Sequence, residues 1–312
     1  MKLAICTDVF AELSYTEMLD KVKSIGIDAV EMSAGGWGAR KHVNTEELLL
    51  DEGKLQEFKQ ELEKRGMEIA ALNTSCNPLW PSQTGQVFSE SMYNCVRLAR
   101  KLNVKKIVCM AGLPAGNETD TTPNWIVSTT SWPDFMAPAY EYQWNVTIAW
   151  WKEFADFCKS HGIEQVAIEE FPGTMVYNVE TMLRLRDAVD PIIGINLDPS
   201  HMIAMGSDPI ISARALKDCI FHVHGKDIRI ERGVVEKNGL FEPKPVTDTS
   251  GRSWNYVAVG CGQDLKWWKE FFSVLSMTGY DGYVSLEMED LTMSVEAGIN
   301  TSVEALKMTI SQ

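Results

Sequence analysis

The chain has 312 residues, 45% hydrophobic and 23% charged, which excludes a largely disordered protein and leaves room for one large barrel or two ordinary domains. Lysine and arginine number 29 against 43 acidic residues, a formal charge of -14, so a general nucleic-acid binder is disfavoured. Seven cysteines without a CxxC pair read as reduced thiols of a cytoplasmic protein, and no run approaches the roughly 18 apolar residues of a membrane helix.

Short β-branched runs alternate with longer helical patterns. Leu3-Ala4-Ile5-Cys6 is the first run, and Asp8 interrupts it too early for a signal peptide. A helical pattern from about Ser14 to Ser24 leads to Asp28–Met32. A charged, periodic segment from about Asn44 to Arg65, stopped by Gly66, precedes Met67–Leu72. A helix from about Ser89 to Leu102 leads into Lys106–Met110. Tyr140 to His161 reads as a long helix that feeds Gln165–Glu169. The remaining runs are Ile192–Leu197, Cys219–His224 and Gly282–Leu286. Helical segments lie between them, and one over Ser294–Thr309 ends the series.

Eight runs with eight helical segments predict a single (β/α)8 TIM barrel over residues 1–312, because parallel strands need crossover helices and closure removes both sheet edges. A doubly wound sheet is the runner-up, but no glycine-rich phosphate loop follows Cys6. Two connections, 112–139 and 228–262, are too long for ordinary loops. The first carries Trp125, Trp132 and Phe135, the second Arg252, Trp254 and Tyr256. Both leave the C-terminal ends of strands, so ordered lids over the barrel mouth are expected, with Trp125 and Arg252 as substrate contacts.

Acidic and histidine residues gather at the strand ends. Glu169 ends the fifth run, Asp198 the sixth and Glu287 the eighth, while His222 and His224 alternate on one face of the seventh. A barrel brings these ends to one mouth. Glu169, Asp198, His224 and Glu287 would form a hard, oxygen-rich site with one imidazole. It suits Mn²⁺ best, then Mg²⁺, with Co²⁺ or Zn²⁺ less favoured. Three carboxylates alone would repel one another, and a dication cuts their charge from -3 to -1. Singly, such carboxylates also serve as helix caps. His224 is nearer the mouth than His222, which is expected one layer deeper as support for the ligands or the substrate. His201 faces the substrate or buttresses a ligand, since Asp198 already serves from that strand. His42 and His161 lie in charged surroundings and read as solvated.

Several motifs resemble the sugar phosphate isomerase/epimerase superfamily, the xylose-isomerase-like TIM barrels. They are Val166–Gly173, Asn196–His201, His222-Val223-His224-Gly225-Lys226-Asp227 and Gly279–Asp290, and they occur in the family's order across essentially the whole chain. Glu141–Asn145 and Cys76–Leu79 resemble a subgroup that includes the large subunits of C-glycoside deglycosidases. The resemblance implies a divalent metal on Glu169, Asp198, His224 and Glu287, with Glu169 and Glu287 as opposed acid/base groups. It implies that His201 binds a sugar hydroxyl and that Lys226 stabilises oxyanion charge. His222 and Asp227 join the substrate contacts, although a Lys226–Asp227 pair is an equally good structural account. Relatives of the subgroup often carry histidines where this chain has Asn77 and Met288, so two polar contacts are absent or replaced. Glu170 should point away from Glu169.

The leading function is therefore a metal-dependent isomerase or epimerase of a sugar or keto-sugar through an enediolate. The alternatives are the large (alpha) subunit of a C-glycoside deglycosidase, cleaving 3-keto-glycosides by proton abstraction and elimination, and a non-catalytic binding or assembly subunit. A related inosose dehydratase is a further variant. An endonuclease-like phosphodiesterase on this barrel would need more than five histidines and a basic groove. The expected partners are a small carbohydrate or glycoside, with room for a homo-oligomer or a small partner subunit, and neither nucleic acid nor membrane.

Overall fold

The computed structural model describes residues 1–38 and 40–310. Strands β1 (Lys2–Cys6), β2 (Ala29–Ser33), β3 (Glu68–Asn73), β4 (Lys106–Met110), β5 (Gln165–Glu169), β6 (Ile193–Leu197) and β7 (Ile220–Gly225) pair in parallel in chain order. A hairpin of β8 (Asp227–Ile230) and β9 (Trp254–Val257) follows, and β10 (Tyr283–Leu286) then closes the barrel between β7 and β1. The fold is the expected (β/α)8 barrel.

Local chemistry starts and stops the helices. Ser14 and Glu17 form a capping box at the helix Tyr15–Ser24, which satisfies two of the free N–H groups at its start. Gly66, at a φ of 59°, ends Glu52–Arg65 in the left-handed conformation that glycine adopts without a Cβ penalty. Trp151, Phe154, Trp268, Phe271 and Phe272 are fully buried between the helices and the barrel wall. The tryptophan pairs 150–151 and 267–268 therefore serve this packing.

Inside the barrel the filling changes with height. Ala4, Ala29 and Ala70 pack with Tyr283, and Ala71, Val108 and Ala167 with Phe221, so small side chains make room for one aromatic ring in each layer. Above them the interior turns polar, with Glu31, Asn73, Asn196, His222 and Ser285. Register shifts at Val30/Glu31 and Ile195/Asn196 flank this polar layer and re-aim its side chains.

The structure departs from the sequence reading in four places. The long helix spans Pro133–Ser160, so it begins inside the first connection, with Pro133 at its start where a missing N–H costs nothing. The segment 44–65 is two helices, Thr45–Leu50 and Glu52–Arg65, because Asp51 leaves helical geometry to cap the second. The second connection is built around the β8–β9 hairpin and a short helix, Arg232–Asn238. His42 is buried rather than solvated, 3.2 Å from the Leu13 carbonyl oxygen. All seven cysteines are free, and no helix among the described residues is long and apolar enough to cross a membrane.

Candidate metal centre and active site

The C-terminal ends of β5, β6, β7 and β10 bring Glu169, Asp198, His224 and Glu287 together, with ligand atoms all within 4.8 Å of one another. His224 Nδ1 lies 3.2 Å from Glu287 Oε2, 3.5 Å from Asp198 Oδ2 and 3.6 Å from Glu169 Oε1. The sequence Asp198-Pro199-Ser200-His201 makes the local geometry. Pro199 starts a helix, Pro199–Ala204, and Asp198 caps it: Oδ1 accepts from the Ser200 backbone N–H at 2.8 Å and its hydroxyl at 2.6 Å. That leaves Oδ2 for the cluster.

Two buried atoms here lack a hydrogen-bond partner: Asp198 Oδ2 and His224 Nδ1. Buried polar atoms without partners are costly, and these two face each other in one cluster of carboxylates. A divalent cation bound by four such groups would satisfy both, so the residues fit a metal.

His224 binds a proton well above the usual imidazole range. Burial opposes its charge, but Glu31, Glu169 and Glu287 outweigh it. Glu169 is held well below the carboxylate range against burial, by His224 and by the hydrogen bond from His201. Asp198 is lowered too, by His201, His224 and Lys226 against burial. A cation is thus already favoured at the centre of the cluster.

The other expected residues divide into two groups. His201 is buried, with Nε2 3.0 Å from Glu169 Oε1 and Nδ1 3.2 Å from the Tyr256 hydroxyl, so it touches a candidate ligand. His222 is also buried, one layer deeper, with Nε2 2.8 Å from Glu31 Oε2 and 2.9 Å from Ser285 Oγ. Burial pushes its pKa down to about 4, so it is neutral. Lys226 donates to Glu287 at 2.9 Å, lies 2.6 Å from Glu289, and sits 4.3 Å from the centre of the Tyr256 ring. Arg252, only 5% exposed, lines the cleft and stacks 3.9 Å from the Trp254 ring, with Glu242 3.6 Å away.

Asp227 and Trp125 lie elsewhere. The Asp227 carboxylate accepts from the N–H groups of Ile228, Gly260, Gly262 and Gln263 and from Trp268 Nε1. It clamps the base of the hairpin and is not among the residues that line the cleft, where a substrate contact was expected of it. Nor does it pair with Lys226, which the two glutamates hold. Gly262 is required at this clamp, because a Cβ there would collide with the Ile228 carbonyl. Trp125 packs edge-on against Tyr177 at 5.4 Å and against Phe241 at 6.5 Å, joining the two long connections away from the cleft.

Asn77 pins the β3 and β4 loops through the Leu113 N–H and carbonyl, whereas Met288 does line the cleft. Glu170 points away from the cluster as expected and accepts from the Asp198 N–H at 3.0 Å.

The cleft above the cluster holds about 690 Å³, within the ~300–1,000 Å³ of small-molecule sites. Its floor is polar, with Asp8, Glu31 and Asn73 beside two of the candidate ligands, Glu169 and Glu287, and Trp37, Val246, Trp254 and Leu291 also line it. Sequence reasoning overlooked Glu31, Asp8, Tyr256 and Glu289. Glu31 did leave a signal, a carboxylate inside the second apolar run.

Comparison with known proteins bears on this geometry. Residues 19–309 match the family described as xylose isomerase-like TIM barrel. The chain belongs to that family. It is 54% identical over 313 residues to the uncharacterized protein YfiH of Bacillus subtilis (strain 168), with all of both chains covered. It is 27% identical over 138 residues to an inosose dehydratase of Mesomycoplasma hyopneumoniae (strain J), 44% of each chain. Among solved structures, the probable 3-DHS dehydratase AsbF of Bacillus anthracis superposes with a TM-score of 0.70 at 19% identity, covering 98% of this chain and 99% of its own. The IolI protein, with a binding zinc atom, gives 0.67 at 19% identity over 99% and 98%. D-psicose 3-epimerase from Clostridium cellulolyticum H10, with D-tagatose, gives 0.64 at 14% identity over 99% and 98%. These structural likenesses establish the shared fold.

Proposed function

We propose that the chain is an enzyme, a divalent-metal-dependent isomerase or epimerase of a sugar or keto-sugar acting through an enediolate. The observation that carries this reading is the four-residue cluster of Glu169, Asp198, His224 and Glu287 with its two unpartnered buried atoms, two of whose residues, Glu169 and Glu287, line a polar-floored cleft. The zinc of the IolI structure and the sugar of the psicose epimerase structure, on the same fold, support it. Mn²⁺ suits the three-carboxylate set best, with Mg²⁺, Co²⁺ or Zn²⁺ as the other candidates.

A bound dication would polarise the substrate carbonyl and so acidify the neighbouring C–H. Glu169 and Glu287 come from strands three apart in the barrel and so approach a substrate from different sides. One removes the proton next to the carbonyl and the other returns a proton to the opposite face. Glu169 is ionised, the state a proton acceptor needs. His201 holds its orientation through Oε1. Lys226, kept charged by Glu287 and Glu289 despite burial, places an ammonium beside the developing oxyanion. Arg252 on Trp254 borders the outer part of the substrate.

The dehydratase names among the relatives favour one variant reading: the same proton abstraction followed by loss of a hydroxyl. Both begin with exchange at carbon. Incubating the metal-loaded protein in D₂O with ketoses, inososes and 3-keto-glycosides tests this by NMR. Deuterium beside a carbonyl, lost in Glu169→Gln and Glu287→Gln, is the expected result. An epimer, an alkene or a released aglycone distinguishes epimerase, dehydratase and deglycosidase. A protein that binds metal but exchanges nothing across the panel overturns the enzyme reading in favour of a binding subunit.

A further inference from the structure

The carboxylate of Glu31 is 1% exposed in the middle of β2. Burying an ion pair costs several kcal/mol per charge, so its partners must compensate. Oε1 accepts from Asn73 Nδ2 at 2.8 Å, and Oε2 lies 2.8 Å from His222 Nε2. Both oxygens lie 3.3 Å from His224 Nε2. The carboxylate thus sits between two imidazoles and an amide N–H, three groups that can donate to it. An ionised carboxylate only accepts, so the protons on these contacts belong to the imidazoles.

The consequence for His224 lies at the other end of its ring. With Nε2–H directed at Glu31, Nδ1 is the atom left to offer a lone pair to a metal ion, and it is the atom that faces Glu169, Asp198 and Glu287. Three carboxylates around that atom favour a cation there, the second proton of His224 in the metal-free protein or a metal ion in its place. Asn196 places its Nδ2 3.0 Å from the same Nε2, and its Oδ1 is without a partner. A turned amide would give that N–H a second acceptor.

We propose that Glu31 is a positioning residue of the metal centre, accepting the Nε2–H of His224 and so fixing the tautomer whose Nδ1 is offered to the metal. The inference rests on the metal reading above. Partners behind the ligands tune metal affinity by about 10–100-fold in other sites. Nothing in the chain order announces this pairing, since Glu31 and His224 are 193 residues apart.

The test titrates Zn²⁺ into wild type and Glu31→Gln against a chromogenic chelator. Glutamine keeps the volume, but its amide can donate toward Nε2 and favour the tautomer with Nδ1 protonated. The expected result is an affinity about 10–100-fold weaker in Glu31→Gln. In parallel, ¹⁵N NMR of zinc-loaded wild type reads the tautomer directly, with His224 assigned by loss of its signals in His224→Gln. Protonated Nε2 and metal-bound Nδ1 are expected. Unchanged zinc affinity in a folded Glu31→Gln overturns the proposal, as does protonated Nδ1 in wild type. The wild-type spectrum decides the matter if the variant does not fold. Wild type that takes up no zinc removes the metal reading itself, and this inference with it.

Discussion

His201 bridges the hairpin and the barrel, with Nδ1 3.2 Å from the Tyr256 hydroxyl and Nε2 3.0 Å from Glu169 Oε1. Tyr256 comes from the β8–β9 hairpin and Glu169 from the barrel. The hairpin therefore does more than cover the mouth, since it sets the orientation of a candidate acid/base group through one imidazole. Tyr256→Phe removes only the hydroxyl. We expect kcat to fall by about 10-fold or more, with KM nearly unchanged. Steady-state kinetics on whichever substrate shows deuterium exchange checks this, and an effect confined to KM would assign Tyr256 to substrate binding instead.

Asp227 gives the opposite expectation. Its carboxylate collects four backbone N–H groups and an indole N–H, so Asp227→Asn removes charge-assisted hydrogen bonds from a buried clamp. A loss of about 2 kcal/mol or more in unfolding free energy is expected. Chemical denaturation measures it. Unchanged stability with a raised KM would restore the substrate-binding role.

Glu170 supplies the pH dependence. Burial first, then the Asp198 carboxylate, push its pKa well above the ordinary value. In the unfolded chain it ionises near a pKa of about 4.3. The folded state therefore binds more protons above that point, and the contribution of Glu170 to stability falls as pH rises toward its folded pKa. Glutamine resembles the neutral acid and does not titrate. Metal-free Glu170→Gln should match wild type near pH 4, and its relative stability should increase with pH. Thermal melts between pH 4 and 8 check the sign, and a parallel pair of curves would show that Glu170 is ionised in the fold.

Metal should also stabilise the protein. A ligand that binds only the folded state adds about 2.7 kcal/mol at 100 times its Kd. Melting with and without Mn²⁺ should show an upward shift that a chelator reverses. No shift would mean that the cluster holds its cation too weakly to serve as a resident centre.

Much of this was legible in one dimension and some was not. The eight strand-like runs were readable because each is short, apolar and bounded, and the hairpin was not, because Asp227–Ile230 continues the seventh run without a break in pattern. Glu169, Asp198, His224 and Glu287 stood out because each polar residue ends an apolar run. Asp227 stands in the same motif, but its partners at Gly260, Gly262 and Gln263 arrive 33 to 36 residues later and turn it away from the cleft. Trp125 was readable as an ordered aromatic, but its partner Phe241 belongs to the other connection. His42 looked solvated from its neighbours in sequence, while its shelter comes from the segment ending at Leu13.

The central claim is that Glu169, Asp198, His224 and Glu287 hold a divalent metal. Equilibrium dialysis against Mn²⁺ with elemental analysis of wild type, Asp198→Asn and His224→Gln tests it most directly. The account predicts one ion per wild-type chain and little or none in either variant, with both variants folded by circular dichroism. Wild type that emerges without metal, or folded variants that retain a full ion, would contradict it.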